Sequence, residues 1–178
     1  MIELMLLGFL AADGPLHGYE LRKRMTRLHG WTRVISDGTI YPAIDRLLKS
    51  GAISATVERG SAAAPRRLLA LTDAGRTRLH DLLRSAAGPD ISDFGRFSAV
   101  LAFLSLLPDP ADREAVLRRR LDFLEHPVGF FVDEDRPTRT DVADPYRAGI
   151  LTIARATRTA ELAWLRERLG CGADRVGG

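Results

Sequence analysis

The chain has 178 residues, enough for one domain of ordinary size or two small ones. Hydrophobic residues make up 46% and charged residues 28%, a globular balance that excludes a fibre or a disordered tail. One cysteine, Cys171, excludes an internal disulfide framework and a multi-cysteine metal site. The four histidines, His17, His29, His80 and His126, lack metal-ligand spacing, so no cofactor is expected. No apolar run approaches the roughly 18 residues of a membrane span. The apolar opening Met1–Ala12 is short, carries Glu3 and lacks a basic leader, so a cytoplasmic protein without a membrane partner is expected. The net charge of +3 is uneven: residues 1–87 hold 13 Lys/Arg against 8 Asp/Glu, and residues 88–178 hold 13 against 15. A polyanion is therefore the expected partner of the first half.

Residues 2–12 read as a short, nearly all-apolar helix that stops before the turn Asp13-Gly14-Pro15. A second helix is predicted over roughly 17–29, with Tyr19, Leu21, Met25 and Leu28 at helical spacing among basic residues. After a loop through Trp31, Ser36-Asp37 starts a third helix, whose face Ile40, Ala43, Ile44, Leu47 and Leu48 ends at the C-cap Gly51. The period then changes to two. Ile53, Ala55 and Val57 alternate with polar residues, a small-residue turn follows, and Arg67–Leu71 return as a second strand. Thr72-Asp73 caps a helix to about 86, and the stretch 87–93 reads as a boundary. Further helices are predicted at 93–106, about 109–125 and about 143–169, with an irregular stretch over 127–142 and a frayed tail over 170–178.

Three helices followed by a hairpin within about 70 residues is the order of a winged helix-turn-helix, in which the third helix enters the major groove. The expected fold class is mainly α with a small β-hairpin. Residues 1–87 form a winged helix-turn-helix DNA-binding domain and residues 93–169 a helical dimerisation and effector domain. The residues that carry a closer likeness are His17-Gly18-Tyr19-Glu20-Leu21 in the second helix and Gly38-Thr39-Ile40-Tyr41-Pro42-Ala43 in the third. Leu71-Thr72-Asp73-Ala74-Gly75 follows the wing, and Ala160-Glu161-Leu162-Ala163-Trp164-Leu165 lies near the end. In these the chain resembles the PadR family of bacterial transcriptional regulators. One segment departs from that pattern. The family's wing usually reads Gly-Arg-Pro-Arg-Lys followed by aromatics, whereas Ala64-Pro65-Arg66-Arg67-Leu68-Leu69 stands here, so the contact of the wing with DNA is reduced or confined to phosphates.

The resemblance implies a sequence-specific regulator of double-stranded DNA, a homodimeric repressor on a palindromic operator, relieved by a small aromatic or cationic effector. It places Tyr19, Thr39, Tyr41, Pro42, Arg46, Arg66 and Arg67 at the DNA. Strand alternation puts Arg66 and Arg67 on opposite faces of the hairpin, and Arg66, closer to the tip, is the one expected at a phosphate. From Tyr146, the positions Ile150, Ile153, Thr157, Ala160 and Trp164 recur at spacings of three and four, a heptad-like seam that fits a partner subunit or the chain's own core. Phe94, Phe97, Phe103, Phe123, Phe130, Phe131 and Trp164 are candidate walls of an effector pocket. There is no Gly-rich phosphate loop, nucleophile elbow or Ser–His–Asp pattern, so no enzyme is expected. Two other readings stay open: a helical protein-interaction adaptor that has lost DNA binding, and an effector-independent DNA-architectural protein.

Overall fold

The computed structural model describes residues 1–28, 36–58, 66–126 and 144–171. Trp31, the wing tip over 61–65, the irregular stretch 127–142 with Phe130 and Phe131, and the tail from residue 172 lie outside the described residues. The chain forms two compact units, Met1–Arg113 and Glu114–Gly178.

In the first unit, α1 (Ile2–Asp13) buries Leu4, Met5, Leu6, Leu7 and Leu10, as expected of a helix apolar on nearly every side. Each such side chain contributes about 1.5–3 kcal/mol of burial. A two-residue strand, β1 (Leu16–His17), leads directly into α2 (Gly18–Leu28), which buries Leu21 and Met25. The third helix, α3 (Asp37–Lys49), buries Ile40, Ala43, Ile44 and Leu47 as its spacing predicts, while Leu48 is only half-buried. The end of α3 satisfies its orphan carbonyls locally: Gly51 N–H donates to Leu48 O (3.1 Å) and Ala52 N–H to Leu47 O (3.0 Å), with Gly51 at φ 71. That positive φ is why glycine stands there. Strands β2 (Ile53–Glu58) and β3 (Arg66–Leu71) follow, and then α4 (Asp73–Arg84), where Thr72 Oγ1 accepts from Gly75 N–H at 3.1 Å, the cap the sequence predicts.

Two features differ from expectation. The sheet has three antiparallel strands in the order β1-β3-β2, because Leu16 and His17 pair with Leu69 and Leu68. Two residues are too few to show a period of two, so this strand reads as the start of a helix. Of the alternating Ile53, Ala55 and Val57, only Ile53 is buried; β2 leaves the core after its first residue.

The first unit continues past the wing. The helix expected over 93–106 is α6 (Phe94–Phe103), closed by a 3-10 turn (Leu104–Leu106), while the stretch 87–93 read as a boundary holds a further short helix, α5 (Pro89–Ser92). Asp93 stands between the two helices in extended backbone and caps α6, accepting from Arg96 N–H at 2.8 Å. Helices α1 and α6 pack closely: a Cβ on Gly8 would lie 2.5 Å from Cγ of the buried Phe103. At its start α1 is also tied to α4, where Arg78 donates to both Glu3 oxygens (2.5 and 3.3 Å), a pairing that raises the Arg78 pKa above its usual value.

α7 (Pro110–Glu125) carries the chain into the second unit, where it packs with α8 (Pro145–Arg168). Pro145 occupies the first turn of α8, and the Asp144 carboxylate accepts from Tyr146 N–H (2.9 Å) and Arg147 N–H (3.4 Å). Three arginines join α7 and α8. Arg120 donates from Nε and Nη2 to the two Glu161 oxygens (2.7 and 2.8 Å), with its side chain 3% and that of Glu161 11% exposed. Arg158 Nε donates to Leu124 O at 3.0 Å, and Arg166 reaches Glu125 at 2.8 Å. Leu165 is fully buried.

Candidate nucleic-acid interface

The surface of interest is built by the start of α2, the outer side of α3 and the base of the hairpin. The helix α2 opens with His17 as its cap residue: Glu20, three residues on, accepts the His17 backbone N–H at 2.9 Å, the return half of a capping box. This turn holds Tyr19 outward and half-exposed. Gly18 beside it allows the Tyr41 ring of α3 to lie close, since a Cβ on Gly18 would meet Tyr41 Cε1 at 3.2 Å. Tyr41 is likewise half-exposed. Arg22 of α2 reaches Asp37 at the start of α3 (3.0 Å), and Arg24 pairs with Asp13, so part of the basic face of α2 is occupied by ion pairs.

Along α3 the exposed positions fall in two stripes. Thr39, Pro42 and Arg46 lie at helical spacing on one, all exposed; Tyr41 and Asp45, four apart, form the other and turn toward the hairpin. The Thr39 hydroxyl is hydrogen-bonded to Ser36 Oγ (3.0 Å), so Ser36 restrains that side chain instead of capping a backbone N–H.

The hairpin supplies the third wall. In register, Glu58 lies opposite Arg66 and Val57 opposite Arg67. Alternation puts Arg66 and Glu58 on one face of the sheet with Leu68, and Arg67 on the other with the buried Leu69. Arg67 accordingly reaches α3, with its guanidinium 3.9 Å from the Asp45 carboxylate. An open cleft of about 700 Å³ results, bordered by His17, Gly18, Tyr19, Tyr41, Asp45, Arg66 and Arg67. Of the sequence-predicted DNA residues, the cleft brings together Tyr19, Tyr41, Arg66 and Arg67, while Thr39, Pro42 and Arg46 stand on the adjoining stripe of α3. Sequence reading passes over Glu58 and Asp45, the carboxylates set against the hairpin arginines; only strand register and helix packing place them there. No His/Cys/Asp/Glu cluster able to hold a metal occurs among the described residues.

Residues 6–81 match the model of the transcriptional regulator PadR-like family. The chain carries a PadR-like domain. Three of the four sequence motifs, beginning at His17, Gly38 and Leu71, fall inside the matched stretch, and the motif Ala160–Leu165 lies beyond it. Its three helices followed by a hairpin stand in winged-helix order, and the domain is that of a transcriptional regulator, not of an enzyme. Among solved structures the chain is similar to Bacillus subtilis PadR in complex with operator DNA, at 20% identity over 95% of this chain and 98% of that one, with a TM-score of 0.47. It is also similar to smu.1604c from Streptococcus mutans UA159, at 20% identity over 94% and 98%, with a TM-score of 0.45. No curated protein matches it.

In the second unit, the predicted seam faces outward on α8. Ile150 and Ile153 are 62% and 68% exposed, and Tyr146, Thr157 and Trp164 are exposed as well. The stripe of α8 turned to α7 is a different one, Arg158, Glu161 and Leu165. Of the candidate effector walls, Phe97 and Phe103 are buried in the first unit, whereas Phe94 and Phe123 reach the surface. Arg120 lies over the Phe123 ring at 5.4 Å. No helix among the described residues is long and apolar enough to cross a membrane.

Proposed function

We propose that this chain is a cytoplasmic, homodimeric repressor that binds operator DNA through the PadR-like domain and is relieved by a small aromatic or cationic effector. Residues 1–87 bind DNA and residues 93–169 dimerise. The observation that carries this reading is the cleft itself, where two tyrosines from α2 and α3 meet the two arginines of β3 beside the exposed stripe Thr39, Pro42 and Arg46. Hydroxyls and guanidinium groups hold phosphates, and residues at the start of an exposed helix reach base edges. Arg67 is engaged with Asp45, which favours Arg66 as the phosphate ligand of the hairpin.

The test is salt-dependent binding to a duplex from the region upstream of the protein's own gene, beside a mixed-sequence duplex. Each phosphate neutralised contributes about 0.9 to the slope of log affinity against log salt. Arg66→Ala is expected to lower the magnitude of that slope by about one, with the ratio of specific to mixed-sequence affinity nearly unchanged. Absence of salt-dependent binding by the wild type overturns the reading, and an unchanged slope removes Arg66 from the interface.

Dimerisation is supported by the exposed seam on α8, an apolar stripe with heptad-like spacing left uncovered by the described residues of its own chain. Ile153→Asp would place a charge in the middle of that seam at little cost to the monomer, where the residue is exposed. Sedimentation at micromolar concentration is expected to show a dimer for the wild type and a monomer for Ile153→Asp, with unchanged helical content. A variant that stays dimeric places the subunit contact elsewhere.

A further inference from the structure

We propose that His17 is a positioning residue that makes DNA binding take up a proton: its charged ring holds Glu58 and leaves Arg66 to the phosphate. The inference rests on the DNA-binding reading above and adds to it a residue and a pH dependence.

The geometry around the ring carries the argument. His17 Nδ1 lies 3.1 Å from the Arg67 carbonyl oxygen. A carbonyl can only accept, so Nδ1 holds a proton. In a neutral ring Nε2 would then be bare, with its lone pair turned toward the Glu58 carboxylate 3.5 Å away. Only the doubly protonated ring donates at both ends, to Arg67 O and to Glu58. Histidine is the side chain whose ordinary range lets this charge change between pH 5 and 8. The groups facing the ring come from every element around it. Glu20 of α2 holds the backbone N–H of His17, and the Tyr19 ring stacks on the imidazole at 5.9 Å between centroids. Glu58 comes from β2, Arg66 and Arg67 from β3, and Asp45 from α3 is paired with Arg67.

Glu58 stands directly opposite Arg66 across the hairpin, a cross-strand distance at which unlike charges attract. When His17 is neutral, Glu58 is left facing Arg66 across the strand pair, and a phosphate must compete with Glu58 for that cation. When His17 is charged, Glu58 has a second cation and the local charge facing the DNA rises by one. Duplex affinity should therefore fall as pH rises through the histidine range. The pair is partly exposed, so the fall is about two- to fivefold, the range of surface ion pairs.

The experiment measures binding of the upstream and mixed-sequence duplexes by fluorescence anisotropy from pH 5.5 to 8 at constant ionic strength. The expected result is a two- to fivefold loss for the wild type, a flat profile for His17→Gln, and for Glu58→Gln a flat profile with tighter binding at pH 8. The pH profile of binding is a readout that a merely structural role of His17 would not move. A flat wild-type profile overturns the proposal, as does a Glu58→Gln variant that keeps the wild-type dependence. Should no duplex bind at any pH, the DNA-binding reading is what fails, and the proposal with it. Glu58 is exposed on β2, so its variant keeps the test decisive if His17→Gln misfolds.

Discussion

Replacing Gly75 with alanine is expected to destabilise the first unit by at least about 3 kcal/mol, the upper end of overpacking costs. The reason is a backbone obstacle that cannot yield. A Cβ at this position would lie 1.9 Å from the Ala52 carbonyl oxygen and 2.8 Å from Leu71 Cδ1. That carbonyl is held in place, because it accepts from Thr72 N–H (3.2 Å) and Thr72 Oγ1 (2.9 Å), while Ala52 N–H is bonded to Leu47 O (3.0 Å). The first turn of α4 thus packs against the connection between α3 and β2, and this contact sets the base of the hairpin beneath the DNA-facing surface. A loss of this size lowers the thermal midpoint by more than about 10 °C in a domain of roughly a hundred residues. Gly51→Ala is the informative control. Its φ of 71 is left-handed but no atom lies within 4 Å, so it should lose only about 1–2 kcal/mol. Equal effects from the two substitutions would show that α4 can shift away from Ala52.

The second large effect is expected in the α7–α8 unit. Glu161→Ala removes the carboxylate that binds the buried Arg120 at Nε and Nη2. Breaking such a pair from one side costs about 3–5 kcal/mol, because the buried guanidinium loses its opposite charge. Replacing both partners with apolar residues of similar volume, Arg120→Met with Glu161→Leu, should recover most of that loss. Denaturant unfolding of the two variants decides the matter. A single variant as stable as the wild type would mean that water or another group takes the place of Glu161. The outcome also bears on function, since the Arg120–Glu161 contact fixes which stripe of α8 faces α7 and so leaves Ile150, Ile153 and Trp164 outward.

What the sequence determined by itself is local. The spacing of Ile40, Ala43, Ile44 and Leu47 specifies the buried face of α3, because 3.6 residues per turn bring those positions together whatever packs against them. Gly51 and Thr72 announce the end of one helix and the start of another, because a positive φ and an N-cap hydroxyl are requirements of the backbone at those points. The change of period at Ile53 marks the hairpin for the same reason, and the exposed residues of α3 could be named from the complement of its core face. The resemblance of three ordered motifs extended this to the family, and the match over residues 6–81 agrees.

Only the tertiary structure decided the rest. β1 exists because Leu16 and His17 find Leu69 and Leu68 some fifty positions later, and two residues have no pattern of their own. Val57 fits an alternating strand, yet it is exposed, because period two says which residues share a face and not whether that face is covered. The heptad-like seam of α8 reads equally as core or as interface, and packing with α7 assigned the buried role to another stripe, Arg158, Glu161 and Leu165. The pairings of Arg67 with Asp45, His17 with Glu58 and Arg120 with Glu161 join elements far apart in the chain. Charges attract over distances set by the fold, and separation along the sequence carries no trace of them.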